Sequence, residues 1–526
     1  MTTAFDGLRV LDLSTGIAGP FATRLLADAG AEIVTVEGPE GDPLRRMKTS
    51  AVMGLAPPLA PDEDGALFQW LAASKQSVVL DLDREEDRER LRNLYGDFDV
   101  VLESFSPGWL ASVDLGHDAV RRTNPRGNLV SISPYGQDGP WRHRPATDFT
   151  LQAETGSFSG RGYPDLGPVA AGGRLGEFST GSFAAVASVL AWLWARRSGR
   201  GRHADVSMLE TMLLCFQPYQ YIQGQMQPGE LMPAMVEVPS IEPTRDGMVG
   251  FSTQTSQQWH DLCVMVEQPE WVTDDSLCLG FERFQRREEL LPAIQAWTRR
   301  HSVAEVVEQA RALRIPVAPI GNGETVLVTD HMVERGFYRD HPAGFKVPGV
   351  PWHLEKGEVP PLGPAPRLGE HTEVVLAAAG TRSETSSPDS SPVDDALPLA
   401  GLKVVDFTAF WAGPFAASVR AGFGADVIKV ESIQRPDGMR FASGFIPEDG
   451  VVWEWAPVFH GANSGKQAVT LNLDCEEGLA LAQDLVRQAD VVIENFSPRV
   501  MERFGFDGAG VRALNPDAVL VRMPAF

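Results

Sequence analysis

Few residues in this chain have a type and spacing that could do chemistry unaided. The first candidate is the turn Ser14-Thr15-Gly16-Ile17-Ala18-Gly19-Pro20, whose glycines invite comparison with a nucleotide-binding loop. It lacks the third glycine of the dinucleotide fingerprint, and Glu37 at the end of the next apolar run is slight support for a ribose contact, so NAD is not expected. Cys215, Cys263, Cys278 and Cys475 stand far apart, with neither the paired spacing of a zinc site nor the density of a disulfide scaffold, and fit a reducing compartment. Asp148, just ahead of Phe149–Gln152, reads from its place alone as the N-cap of a short helix.

Composition narrows the partners. The chain has 526 residues, with 46 Lys and Arg against 70 Asp and Glu and a formal charge of −24. Neither nucleic acid nor an anionic membrane is therefore expected as a partner, whereas a small anion could still meet individual Lys and Arg side chains in a local pocket. At roughly 150 residues per domain, the length suggests three or four units. Met1–Gly7 has no signal-peptide character. Phe183–Trp194, about a dozen apolar residues ending at Arg196 and Arg197, is short for a bilayer and reads as a buried helix. A cytoplasmic protein is expected.

The elements that must position any site are legible as an alternation. Strands are expected at Leu8–Leu13, Glu32–Glu37, Ser77–Leu82, Asp99–Glu103 and Asn128–Ser133, with a helix from near Pro20 through Leu26 and a charged helix over Arg84–Leu94. Strands that alternate with helices need crossovers, which implies an α/β fold: a Rossmann-like parallel sheet with helices on both faces.

The chain also repeats itself. Gly401–Glu431 reproduces Gly7–Glu37 at a constant offset of 394, including both AGPFA segments, and after a three-residue length difference the match resumes at offset 391. Lys75-Gln76 then meets Lys466-Gln467, Glu103–Pro107 meets Glu494–Pro498, and Asn124-Pro125 meets Asn515-Pro516. Matched loops in one register point to a duplicated domain. Gly380–Pro398, rich in Ser, Pro and Asp, reads as a flexible tether. The expected organisation is a first copy over 1–380, with a large domain at about 1–215 and 330–380 and a smaller α+β domain at about 225–325. A linker over 381–398 and a partial second Rossmann-like copy over 399–526 follow. Because the second copy ends on an expected strand, a truncated form of a longer tandem protein is anticipated.

Leu8–Glu37, Ser74–Leu82, Glu103–Pro107, Tyr135–Pro140, Asp148–Gly156, Gly199–Glu210 and Leu368–Leu376 together resemble the class III CoA-transferases of CaiB/BaiF type. That family includes formyl-CoA transferase, carnitine CoA-transferase and the α-methylacyl-CoA racemases. The resemblance covers about Leu8–Gly380 and then Ala400–Phe526. It implies transfer of coenzyme A between an acyl-CoA thioester and a free carboxylic acid, with Asp148 matching the nucleophilic aspartate and passing through aspartyl anhydride and aspartyl-CoA intermediates. No permanent cofactor or metal is implied; CoA and acyl-CoA are substrates.

By the same resemblance the CoA contacts of the first copy are Ile17, Ala18, Lys75, Ser104 and Phe105, and those of the second are Trp411, Ala412, Lys466, Asn495, Phe496 and Arg503. Where the second copy has Asn495 and Arg503, the first has Ser104 and Ser112. That contrast implies a weaker first-copy CoA site by roughly 1.5–3 kcal/mol for a desolvated charge-assisted contact. In the racemase branch a histidine precedes the aspartate and a second aspartate follows roughly thirty residues on. Thr147 and Glu177 stand there instead, which disfavours racemisation. Val236–Ser252 lacks the glycine run of formyl-CoA transferase, so a larger or differently shaped acid than formate or oxalate is expected, with Tyr219–Glu237 a candidate acyl-pocket lining. The family's interlocked dimer implies either a homodimer or an intramolecular pseudo-dimer in a longer parent chain. Alternatives are a lyase built on tandem CoA-transferase units and a non-catalytic CoA-binding subunit.

Overall fold

A computed structural model describes residues 3–158, 160–216, 234–355, 357, 359–380, 396–441 and 450–524. Tyr219–Met232, most of the suggested acyl-pocket segment, and residues 381–395 of the expected tether lie outside them.

The first sheet has six parallel strands: β1 (Arg9–Asp12), β2 (Glu32–Glu37), β3 (Gln76–Val79), β4 (Val100–Glu103), β5 (Asn128–Ser133) and β6 (His203–Ser207), in the order β3-β2-β1-β4-β5-β6. The expected strands are all present. The sixth, β6, carries polar His203 and Asp205 beside Ala204 and Val206 and shows no apolar run, so pattern reading passes over it. Parallel strands buried on both faces divide their side chains by parity. Leu11, Val34, Val36, Val78, Val101 and Leu129 pack beneath Leu91, Leu94, Tyr95, Phe98 and Val120. Val10, Ile33, Val100, Leu102, Val130 and Ile132 meet Ala22, Leu26, Ala184 and Ala185 on the other face.

The second face is covered by the helices Ala18–Asp28 and Leu175–Ser198. The latter runs for 24 residues, twice the apolar segment read from sequence. By length and composition it could cross a membrane, yet its small residues Gly181, Ala184, Ser188 and Ala191 are buried within the protein. Serine hydroxyls that bond back to the preceding turn, such as Ser188 to the Ala184 carbonyl at 2.7 Å, let polar residues sit in that face.

A smaller unit comprises Gln152–Gly173 and Met232–Pro364, wider than the expected 225–325 because it takes in both the segment after Asp148 and residues 330–364, expected in the large domain. Its strands are β7 (Ile241–Pro243), β8 (Met248–Phe251) and β9 (Val317–Pro319), antiparallel in the order β7-β8-β9, and the hairpin β10 (Tyr338–Asp340) and β11 (Lys346–Pro348). Trp259, Leu262, Leu290, Ile294, Trp297 and Val306 form its core.

The second sheet has five parallel strands: β12 (Lys403–Asp406), β13 (Asp426–Glu431), β14 (Gln467–Thr470), β15 (Val491–Glu494) and β16 (Val519–Arg522), in the order β14-β13-β12-β15-β16. Its order matches the first five strands of the first sheet. Register matches too: Arg9 faces Glu32 and Lys403 faces Asp426, 394 residues on. β5 is wholly buried, whereas the equivalent β16 is exposed at both ends.

Candidate active site at the strand ends and the long helix

Two constellations gather at the carboxyl ends of the strands, where open α/β sheets bind ligands. The first surrounds the loop after β1. Asp12 is fully buried; its Oδ1 accepts from the Ser14 N–H at 3.0 Å and from the Ser14 hydroxyl, and its Oδ2 from Thr23. A buried carboxylate needs a counter-ion, and Lys75 provides it: its Nζ lies 3.8 Å from Asp12 Oδ2 and donates to Thr23 Oγ1 at 2.7 Å and the Pro20 carbonyl at 2.9 Å. Burial pushes the Lys75 ammonium down to about 8, against the opposing pull of Asp12. In the second sheet Lys466 does the same for buried Asp406, with Nζ 2.8 Å from Asp406 Oδ2 and 2.8 Å from Asn463 Oδ1.

Both lysines turn inward. Their side chains are 1% and 2% exposed, so neither ammonium faces a phosphate in this conformation. Each is instead the internal partner of a strand aspartate, and neither is a solvated surface charge.

Ser104 and Asn495 also have structural partners. Ser104 Oγ accepts from the Thr15 N–H at 3.0 Å. Asn495 clamps the matching residue twice, accepting from the Ala409 N–H at 2.8 Å and donating to its carbonyl at 2.7 Å. From the other side Asp42 accepts from the Gly16 N–H at 3.2 Å, and Asp437 from the Phe410 N–H at 3.0 Å. The loop after the first strand is thus pinned at two successive amides in both sheets. Asp42 and Asp437 carry no recognisable motif; their recurrence one residue out of register is the only sequence signal.

The remaining candidates separate by exposure. Ile17 and Ala18 are buried beside Leu44, Phe68 and Leu26, whereas Trp411 and Ala412 are exposed. Phe105 stacks on Trp109 with centroids 4.5 Å apart; Phe496 packs at the edge of the second core. Arg503 is two-thirds exposed and paired with Asp474, while Ser112 bonds the Trp109 carbonyl at 2.7 Å. An exposed, screened arginine is worth less than the desolvated contact anticipated from sequence.

The second constellation holds Asp148, the first residue of the helix Asp148–Glu154. Thr147 does the capping: its Oγ1 accepts from the Thr150 N–H at 3.3 Å. Asp148 is therefore not spent as an N-cap. Its Oδ1 accepts at 3.2 Å from the N–H of Glu177, in the first turn of the long helix, where the macrodipole favours negative charge. The Glu177 carboxylate itself is engaged with Arg174.

The same helix turn reaches the loop after β1. Phe178 meets Phe21 edge-on at 5.0 Å and Trp70 at 6.1 Å, and Gly181 lies against the Ala18 carbonyl. Ile17, Ala18 and Asp148 are thereby tied to successive turns of one helix. A shallow cavity of about 160 Å³ lined by Arg9, Glu32, Asp97 and Phe98 sits at the opposite, amino end of β1 and β2. Among the described residues no cluster of three or more His, Cys, Asp or Glu could hold a metal.

A family model described as CoA-transferase family III matches residues 5–372 and again 399–526. The chain belongs to CoA-transferase family III. It is an enzyme of a family that transfers CoA. Succinate–glutarate CoA-transferase of Agrobacterium fabrum is 29% identical over 396 residues, 73% of this transferase and 97% of the relative. A probable CoA-transferase of Mycobacterium tuberculosis, Rv1866, is 28% identical over 537 residues; the match covers 98% of this transferase but 64% of that longer protein. A solved CaiB/BaiF family protein from Brucella suis superposes with a TM-score of 0.63 at 25% identity, covering 72% of this transferase and all of that chain.

Proposed function

We propose that this transferase moves CoA from an acyl-CoA thioester to a free carboxylic acid, using Asp148 as the nucleophile. The carboxylate oxygen attacks the thioester carbonyl, the C–S bond breaks, and CoA thiolate leaves a mixed anhydride. The thiolate then attacks the aspartyl carbonyl, expelling the donor acid and leaving an aspartyl-CoA thioester. The acceptor carboxylate attacks that thioester, freeing thiolate and forming a second anhydride, which the thiolate opens at the acceptor's acyl carbon to give the new thioester and restore Asp148. Splitting the exchange into covalent steps lowers each barrier.

The observation that carries this reading is the Asp148 carboxylate, whose Oδ1 accepts from the Glu177 N–H at the start of the long helix while Thr147 caps the helix that Asp148 begins. Racemisation has less support, since Thr147 is no proton carrier and the Glu177 carboxylate is held by Arg174. Succinate and glutarate in the name of the Agrobacterium relative favour dicarboxylic acids as substrates. We further read residues 399–526 as a second copy of the large domain, on the repeated family match and the shared strand order. The loop at Ile17 and Ala18, with Phe105, is the first-copy CoA platform; Trp411, Ala412, Phe496 and Arg503 are its second-copy counterparts.

The test is covalent trapping. Incubation with succinyl-CoA should add mass to the peptide that carries Asp148, hydroxylamine should convert that adduct, and Asp148→Ala should abolish both adduct and turnover. Full exchange activity in Asp148→Ala would overturn the assignment.

A further inference from the structure

Gly176 lies in the first turn of the long helix, next to the residue whose N–H holds Asp148. Its backbone is ordinary helix, so nothing in its dihedral angles calls for glycine, and glycine inside a helix is disfavoured relative to alanine. Space explains it. A Cβ built on Gly176 would fall 2.5 Å from Asp148 Oδ1, 2.0 Å from Met212 Cε and 2.8 Å from Met212 Sδ. Met212 is fully buried, but its thioether is flexible and could turn aside. To clear that Cβ the Asp148 carboxylate must also move, away from the place where it accepts from the Glu177 N–H at 3.2 Å.

We infer that Gly176 is a positioning residue: the absence of a side chain there makes the seat in which the Asp148 carboxylate meets the Glu177 N–H. This rests on Asp148 being the acylated residue. The seat fixes where the attacking oxygen stands, so a displaced carboxylate slows attack on the thioester carbonyl without touching the groups that bind CoA.

The test compares Met212→Ala with Gly176→Ala/Met212→Ala in the full chain, so that the methionine collision is removed from both. With succinyl-CoA as probe, labelling of Asp148 and kcat should fall roughly 100-fold in the double variant, while KM for the thioester stays within about threefold. Hydrogen exchange supplies a readout independent of turnover. The Glu177 amide should exchange at least about tenfold faster in the double variant, with amides beyond Gly181 unchanged. Equal labelling rates and equal Glu177 protection in the two variants would overturn the seat and leave the nucleophile reading standing. No labelling of the native chain under any condition would overturn the nucleophile reading, and the seat with it.

Discussion

The two sheets place the same backbone around buried acids and neutralise them differently. In the second sheet Asp437 has Lys429 Nζ at 3.1 Å and Glu494 has Arg522 Nε at 2.9 Å. At the matching positions the first sheet has Thr35, whose Oγ1 is buried without a hydrogen-bond partner, and Ser131. Burial then pushes Asp42 up to about 6 and Glu103 up to about 7, despite bonds to Asp42 from the Leu44 and Gly16 amides and to Glu103 from Ser131 and the Phe105 amide. One strand framework therefore tolerates either cations or neutral donors beside its buried acids, and where the donors are neutral, burial lifts Asp42 and Glu103 toward neutrality.

The sharpest way to break the comparison is at the feature both sheets share, the lysine on the first-strand aspartate. Lys75→Met leaves Asp12 buried and uncompensated and should cost about 3–5 kcal/mol. Lys466→Met should cost less, because the Arg420 guanidinium still acts on Asp406. Denaturant unfolding followed by hydrogen exchange in β1 and β12 separates the two. Adding Asp12→Asn to Lys75→Met should recover most of the loss, since removing both charges leaves no orphan. Equal, small losses in the two lysine variants would mean that the ammonium groups are not counter-ions.

Next in size is the pH response. Glu103 and Asp42 sit above their ordinary values, so the fold favours their neutral forms. Their contribution is complete below about pH 4 and is lost as pH rises through about 6 for Asp42 and about 7 for Glu103. Glu103→Gln keeps the neutral shape and should flatten the fall in β4 protection between pH 5 and 8, gaining on the order of 2–3 kcal/mol at the alkaline end. Glu494→Gln should act in the opposite direction by about 1 kcal/mol, because it discards a partner of Arg522 that is already one-third solvated. Parallel pH slopes for native protein and Glu103→Gln would sink the contrast.

How much of this was readable beforehand depends on the physics behind each feature. Alternation marked β1 to β5 because parallel strands buried on both faces are continuous apolar runs; β6, with His203 and Asp205, carries no such signature. The repeat was legible because register survives in residue type, and Asp148 stood out only through its family pattern. The roles of Lys75, Lys466, Ser104 and Asn495 were not legible. A lysine or asparagine next to a strand end reads alike whether it points outward to a ligand or inward to a carboxylate or a loop amide, and only packing decides. Gly176 was invisible for the same reason: its function is the volume it leaves to Asp148 and Met212.

The smallest expected effect concerns the clamp on the loop after the first strand. Gly16 adopts a positive φ of 81° at no steric cost, but the second sheet puts Phe410 there at φ 66°, a conformation that costs a residue with a Cβ roughly 1–2 kcal/mol. Asn495 offsets part of that strain with its second bond to Ala409, which Ser104 does not offer to Thr15. Asn495→Ser should therefore loosen its loop by about 1 kcal/mol, seen as faster exchange at the Ala409 and Phe410 amides. Ser104→Asn should tighten the unstrained first loop by less. If Asn495→Ser left exchange unchanged while Phe410→Gly alone slowed it, the strain would be held by Asp437 rather than by the asparagine, and the two clamps would be equivalent after all.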